Sequence, residues 1–203
     1  MLAADVQQEK TLATLLENRR DALKIRPLRF DIFRHPRKDS GVYHEADDFL
    51  APYLPPQYAR ALVVLDHDWE GAPGSAEDLR NNLRERLARR GWPEEACEVI
   101  VIEPELEVWV WAGTPVVAEV LRTDWSRIHD LARQRGYWTE GRIKPEQPKL
   151  LLEAVLRQQR RPRSSAVFQA IAERISLTRC TDPSFALLRE TLARWFPETD
   201  TAA

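Results

Sequence analysis

At 203 residues, with 43% hydrophobic and 31% charged side chains, the chain has enough apolar surface for one core and too much for a disordered segment. Its two cysteines, Cys97 and Cys180, stand far apart without CxxC spacing, which excludes a zinc finger and a disulfide framework. The net charge of -2 hides an uneven division: residues 1–113 carry -6 and residues 114–203 carry +4, steepest over 133–163, where nine Lys or Arg face three Glu. An acidic half beside a basic half suits a metal-dependent enzyme acting on a polyanion.

No apolar run approaches the ~18 residues that span a bilayer, and Met1-Leu2-Ala3-Ala4-Asp5 carries no basic leader, so a cytosolic protein is expected, not one in a membrane. Leu12, Leu15, Leu16 and Leu23 recur at helical spacing and predict a first helix over 6–24, following a first strand. Leu28 to Phe33 alternates apolar with charged and predicts a half-buried strand. A polar loop over 35–41 and a short helix near 43–51 come next. The run Ala61-Leu62-Val63-Val64-Leu65 ends abruptly in Asp66, and Val99-Ile100-Val101-Ile102 repeats the pattern before Glu103. Such runs suit strands covered on both faces.

Between them, Ser75 caps a helix marked by Leu79, Leu83 and Leu87 and stopped at Gly91-Trp92-Pro93, so the unit reads strand, helix, strand with parallel strands. Beyond residue 113 only helices are predicted, over 115–122, 125–135, 148–160, 164–176 and 184–195, with a frayed end over 198–203. The expected architecture is α/β: a mainly parallel sheet flanked by helices over 1–113, then a helical half over 114–203 packed on it as a single unit.

In parallel α/β sheets, ligands bind beyond the carboxyl ends of the strands. Asp66 and Asp68 fall there, and hard cations such as Mg²⁺ take one or two carboxylates from a protein. Glu103, Glu105 and Glu107 form a second acidic set, which as a helix N-terminus would need no chemistry. Asp5 and Glu9, four apart, can share one face of the first helix, again with a plain alternative as N-cap and solvated acid.

The three sets together match a family pattern. They resemble the Toprim fold of topoisomerases, primases and OLD-type nucleases, in which an acid follows the first strand and Asp-x-Asp a later one. The chain is most similar to small Toprim-like proteins of bacterial anti-phage islands, the RloB type included, and more narrowly to accessory proteins of methylation-associated defence systems. Those families often begin with Glu-Gly-x-Thr-Glu, and Asp5-Val6-Gln7-Gln8-Glu9 keeps the acid spacing with Asp for the first Glu and no glycine. They also carry Asn-Pro-x-Phe-Glu-x-Trp, which Pro104-Glu105-Leu106-Glu107-Val108-Trp109 resembles, aligning Glu107 and Trp109. The stretches from Lys144 to Lys149 and from Ser164 to Phe185 are similar too.

The resemblance implies a Mg²⁺- or Mn²⁺-dependent nuclease acting on DNA or RNA in anti-phage defence. Asp66 and Asp68 with Asp5 or Glu9 would hold the metal, and an acid not bound to it, Glu107 among the candidates, would serve as general base. Lys144, Lys149, Arg160, Arg161 and Arg163 would grip phosphates, and Trp69 would stack on a base or cover the site. A rival reading is a non-catalytic Toprim-like subunit that binds a partner protein or nucleic acid in a larger defence complex, or a second copy of itself. No glycine-rich P-loop is present, which argues against a nucleotide-triphosphate motor. His35, His44, His67 and His129 lack paired spacing and read as surface or structural residues.

Overall fold

A computed structural model of the chain describes residues 1–198. Most of the frayed end expected over 198–203 lies outside them. Four strands, β1 (Leu2–Ala3), β2 (Phe33–Arg34), β3 (Ala61–Asp66) and β4 (Cys97–Ile102), form one parallel sheet in the order β2-β1-β3-β4. The long partners are β3 and β4, in register from Ala61 opposite Cys97 to Asp66 opposite Ile102. Both apolar runs are therefore strands, buried on both faces as continuous hydrophobic strands must be.

Side chains alternate between two cores. Leu62, Val64, Ile100 and Ile102 face α1 (Val6–Asn18) and the C-terminal helices, whereas Val63, Leu65, Val99 and Val101 face α3 (Lys38–Leu50) and α4 (Ala76–Arg90). The helix over 76–90 starts as its residues dictate. Ser75 accepts from the Asp78 backbone N–H while Asp78 bonds back to Ser75, a capping box, and Gly91 stops the helix at φ 112°. Leu79, Leu83 and Leu87 are each 0% exposed against the sheet. Leu83→Ala should lower stability by about 2–5 kcal/mol, read in a urea titration; a change below about 1 kcal/mol would mean that this stripe does not hold the second core.

The first helix differs from expectation. It breaks at Arg19, and α2 (Arg20–Leu23) follows as a separate turn ended by Lys24 in the left-handed region. Arg19 is drawn out to donate to the carbonyls of Ala172 at 2.7 Å and Ile175 at 2.9 Å, closing the C-terminus of α9 (Ser165–Arg174). Of the predicted second strand only its last residue, Phe33, pairs, together with Arg34 beyond it, because β1 offers two residues. The alternation at Leu28, Phe30 and Ile32 comes from packing against the first core.

The C-terminal half is helical as expected: α5 (Glu107–Val110), α6 (Pro115–Leu121), α7 (Trp125–Arg135), α8 (Pro148–Gln158), α9 and α10 (Pro183–Trp195). One continuous core joins it to the sheet, from Ala3 and Leu62 to Leu188 and Trp195. Trp109, Trp111 and Trp195 belong to that core; Trp111 is 1% exposed and donates to the Pro148 carbonyl at 3.0 Å. Both cysteines are buried and free. Among the described residues, no helix is long and apolar enough to cross a membrane.

Candidate functional site

All four parallel strands end on the same edge of the sheet, and their following segments bring acids there. β1 leads through Ala4 to Asp5, the N-cap of α1, whose carboxylate accepts from the Gln8 backbone N–H at 2.9 Å. Gln8 is 1% exposed and works in two directions: its Oε1 accepts from the Ala4 N–H at 2.9 Å and its Nε2 donates to Asp66 Oδ1 at 3.0 Å. After β2, Asp39 lies in the first turn of α3, and its Oδ1 accepts the backbone N–H of Asp66 at 2.8 Å. Leu106, just before α5, donates its N–H to Asp66 Oδ1 at 3.0 Å.

Asp66 is thus the centre of the group. Burial, then the negative charges of Asp39, Glu107 and Asp5, push its carboxyl well above the usual carboxylate range, against the Gln8 hydrogen bond that favours the ionised form. Burial raises Asp39 as well, with Asp5 adding to it and backbone hydrogen bonds opposing. The two carboxylates repel one another in a partly buried place. That is the electrostatic signature of an acid group prepared for a proton or a cation.

The predicted residues distribute unevenly. Asp5, Asp66 and Glu107 converge in the electrostatic sense just described. Asp68 does not join them: the N–H groups of His67 and Asp68 both turn to the Pro104 carbonyl, at 3.1 and 2.9 Å, and the Asp68 side chain is left exposed. Glu9 points to cations instead, meeting Arg34 at 2.7 Å and Lys10 at 3.2 Å. Glu107, 1% exposed, is held by Arg163, whose Nε and Nη2 donate to its Oε1 at 2.8 and 2.5 Å. Of the other Glu in that set, Glu103 is exposed, while Glu105, 6% exposed, accepts from the backbone and side chain of Lys149 at 3.1 and 3.2 Å.

The candidate phosphate grips are mostly engaged within the fold. Lys144 turns inward to the Val108 carbonyl at 2.6 Å, Lys149 is paired with Glu105, and Arg163 with Glu107. Arg161 donates to the Val120 carbonyl at 2.5 Å, and Arg160 is exposed. Trp69 is a wall residue, not a free stacking platform: its ring leans on Tyr43 and His44, centroids 5.8 and 5.9 Å away, and packs on the second core. His35 is structural, 4% exposed and 3.0 Å from Glu45.

Asp39 and Gln8 escaped the sequence reading. Pro36 and Gly41 look like loop residues, yet Gly41 lies within α3 and is glycine because a Cβ there would overlap the His35 ring.

The chain matches no protein-family model, no curated protein and no solved structure.

Among the described residues, no group of three or more His, Cys, Asp or Glu side chains is gathered closely enough to hold a metal ion by itself. A closed, protein-built site is not what these residues form. An open one fits them better: the donors are hard carboxylate oxygens, Asp39 lies beside Asp66, and a cation would offset both the burial and the neighbouring negative charges that raise them. Mg²⁺ usually takes one or two carboxylates and keeps several waters, which matches that supply.

Proposed function

We propose that the chain is a Toprim-like, Mg²⁺-dependent nuclease acting on nucleic-acid phosphodiesters in anti-phage defence. The observation that carries the chemistry is Asp66, hydrogen-bonded by Gln8 and the Leu106 N–H and repelled by Asp39, Glu107 and Asp5 at the carboxyl ends of parallel strands. The place in defence rests on the motif resemblance around Asp5, Asp66 and Glu107. Asp66 and Asp39 would hold the ion, with Mn²⁺ an equivalent choice. Bound there, it would supply charge stabilisation to phosphodiester oxygens and a more acidic water.

The protein's own groups do the rest. Gln8 and the Leu106 N–H fix the orientation of the Asp66 carboxylate. Asp5 fixes α1, and hence Gln8, by capping it. An acid of the group that is not bound to the ion would take the proton from the attacking water.

Calorimetry and thermal unfolding with Mg²⁺ or Mn²⁺, beside cleavage assays on DNA and RNA, test this. At a hundredfold excess over Kd the ion should add about 2.7 kcal/mol of stability to the wild type. Asp66→Asn should remove both that gain and cleavage. Undiminished cleavage in Asp66→Asn and Asp39→Asn would sink the site assignment.

A second reading, a non-catalytic Toprim-like subunit that binds a partner protein or nucleic acid, is favoured by one observation. Glu107 is already neutralised by Arg163. No heat of Mg²⁺ binding by a fully folded chain would select it.

A further inference from the structure

The turn joining α8 to α9 concentrates arginine. Arg157, Arg160, Arg161 and Arg163, with Glu153 and Leu156, line an open cleft of about 600 Å³. Glu107 pairs with Arg163 and Glu153 lies among the rest, so the four arginines still outnumber the acids beside them. The backbone at this turn is a helix stop of the glycine type, with Arg160 at φ 51°, its N–H on the Arg157 carbonyl and the Arg161 N–H on the Leu156 carbonyl. Lys24 and Arg122 take the same conformation at the ends of α2 and α6, so the backbone alone says nothing of function. What it does is set consecutive arginines around one hollow.

Two of the four are held in place. Arg161 is anchored on the Val120 carbonyl, and Arg163 lies between Glu107 and the Phe168 ring, 5.2 Å from its centroid. Arg161 is thereby fixed, and planar guanidinium groups around one space favour phosphate oxygens, which they can meet with paired N–H donors. Arg163 also belongs to two places at once. It lines the cleft, and it neutralises the acid nearest the Asp66 group from α5.

We propose that this cleft is a phosphate subsite of the carboxylate site, taking a backbone phosphate of a nucleic acid and drawing Arg163 away from Glu107 as it does so. Glu107, released, becomes the further carboxylate that the free chain withholds from Asp66 and Asp39. Substrate binding and cation binding then strengthen one another, as linkage requires. The identity of the anion rests on the phosphodiester reading above; the binding itself does not.

The test is done on the full chain with metal chelated. Inorganic phosphate and, separately, a single-stranded DNA oligonucleotide are titrated in, with affinity from calorimetry and the Arg163 Nε–H resonance followed by NMR. Both ligands should bind and shift that resonance. Arg157→Ala with Arg160→Gly should weaken each by about tenfold or more. Glu107→Gln should tighten each, because Arg163 then keeps its whole charge for the anion.

Glycine takes a positive φ without strain, so Arg160→Gly alone should hold or raise the melting temperature, by about 2–4 °C. Lost binding in that variant is then not lost folding. Unchanged affinity in the double variant overturns the subsite, and an unmoved Arg163 resonance or unchanged affinity in Glu107→Gln overturns the coupling. Binding of inorganic phosphate without the oligonucleotide overturns the nucleic-acid assignment. Because no metal is present, failure of the Mg²⁺ titration leaves these outcomes standing, and the two readings fail separately.

Discussion

Replacing Asp66 with asparagine raises the stability of the metal-free protein at neutral pH and flattens its dependence on pH. The sign follows from the direction of the shift. The folded Asp66 carboxyl holds its proton above the usual carboxylate range because burial and the charges of Asp39, Glu107 and Asp5 disfavour the ionised form. Between the unfolded value, about 3.9, and the higher folded value, the native state binds more protons than the unfolded one. Stability therefore falls as pH rises through that window and stays lower above it.

Asparagine keeps an oxygen for Gln8 and the Leu106 N–H but has no charge to repel. Melting temperatures of wild type and variant across about pH 4–8 should diverge as pH rises, the variant being higher. Asp39 leaves a residual slope in both, since it too is raised. With saturating Mg²⁺ the order should reverse, as only the wild type gains from the ion. A variant less stable than wild type at neutral pH, with the same slope, would show that Asp66 is not under electrostatic strain.

Arg163→Ala should be the most damaging surface-accessible change. Glu107 is 1% exposed and takes both Arg163 hydrogen bonds on a single oxygen, whereas Arg163 is 26% exposed. Deleting the cation leaves a buried carboxylate without its partner, at a cost of about 3 kcal/mol. Adding Glu107→Gln to Arg163→Ala should recover most of the loss, because the stranded charge is then gone. Chemical denaturation of both single variants and the double variant gives the pair energy directly. A loss below about 1 kcal/mol in Arg163→Ala would place the pair with ordinary solvated ion pairs.

The parts of the fold legible in the sequence were those written by burial. Ala61 to Leu65 and Val99 to Ile102 are apolar at every position because two cores lie on either side of them, and the expected βαβ unit follows from that. Residues 125–135 form a helix with the expected bounds because Asp124 caps it and Gly136 stops it. Less legible were elements defined by a partner far away in sequence. The alternation of Leu28 to Phe33 reads the same whether a strand pairs or merely packs, and only the shortness of β1 decides between them.

The site was half legible for a similar reason. Asp5, Asp66 and Glu107 announce themselves by following strands. Asp39 arrives on a helix whose glycine, with Pro36 just ahead of it, resembles a loop, and Gln8 carries no charge to attract notice. The separation of Asp68 from the group depends on two backbone N–H groups turning to one carbonyl, which no side-chain pattern encodes.

The shared core has a consequence for synthesis. Leu12, Leu15 and Leu16 on α1 pack in the same cluster as Phe168 and Ile171 on α9, so the face of α1 waits for an element made about 150 residues later. At about 5–20 residues per second, the nascent chain carries that oily stripe uncovered for on the order of ten seconds. A truncation that ends before α9 leaves that stripe uncovered for good and should be recovered from the insoluble fraction.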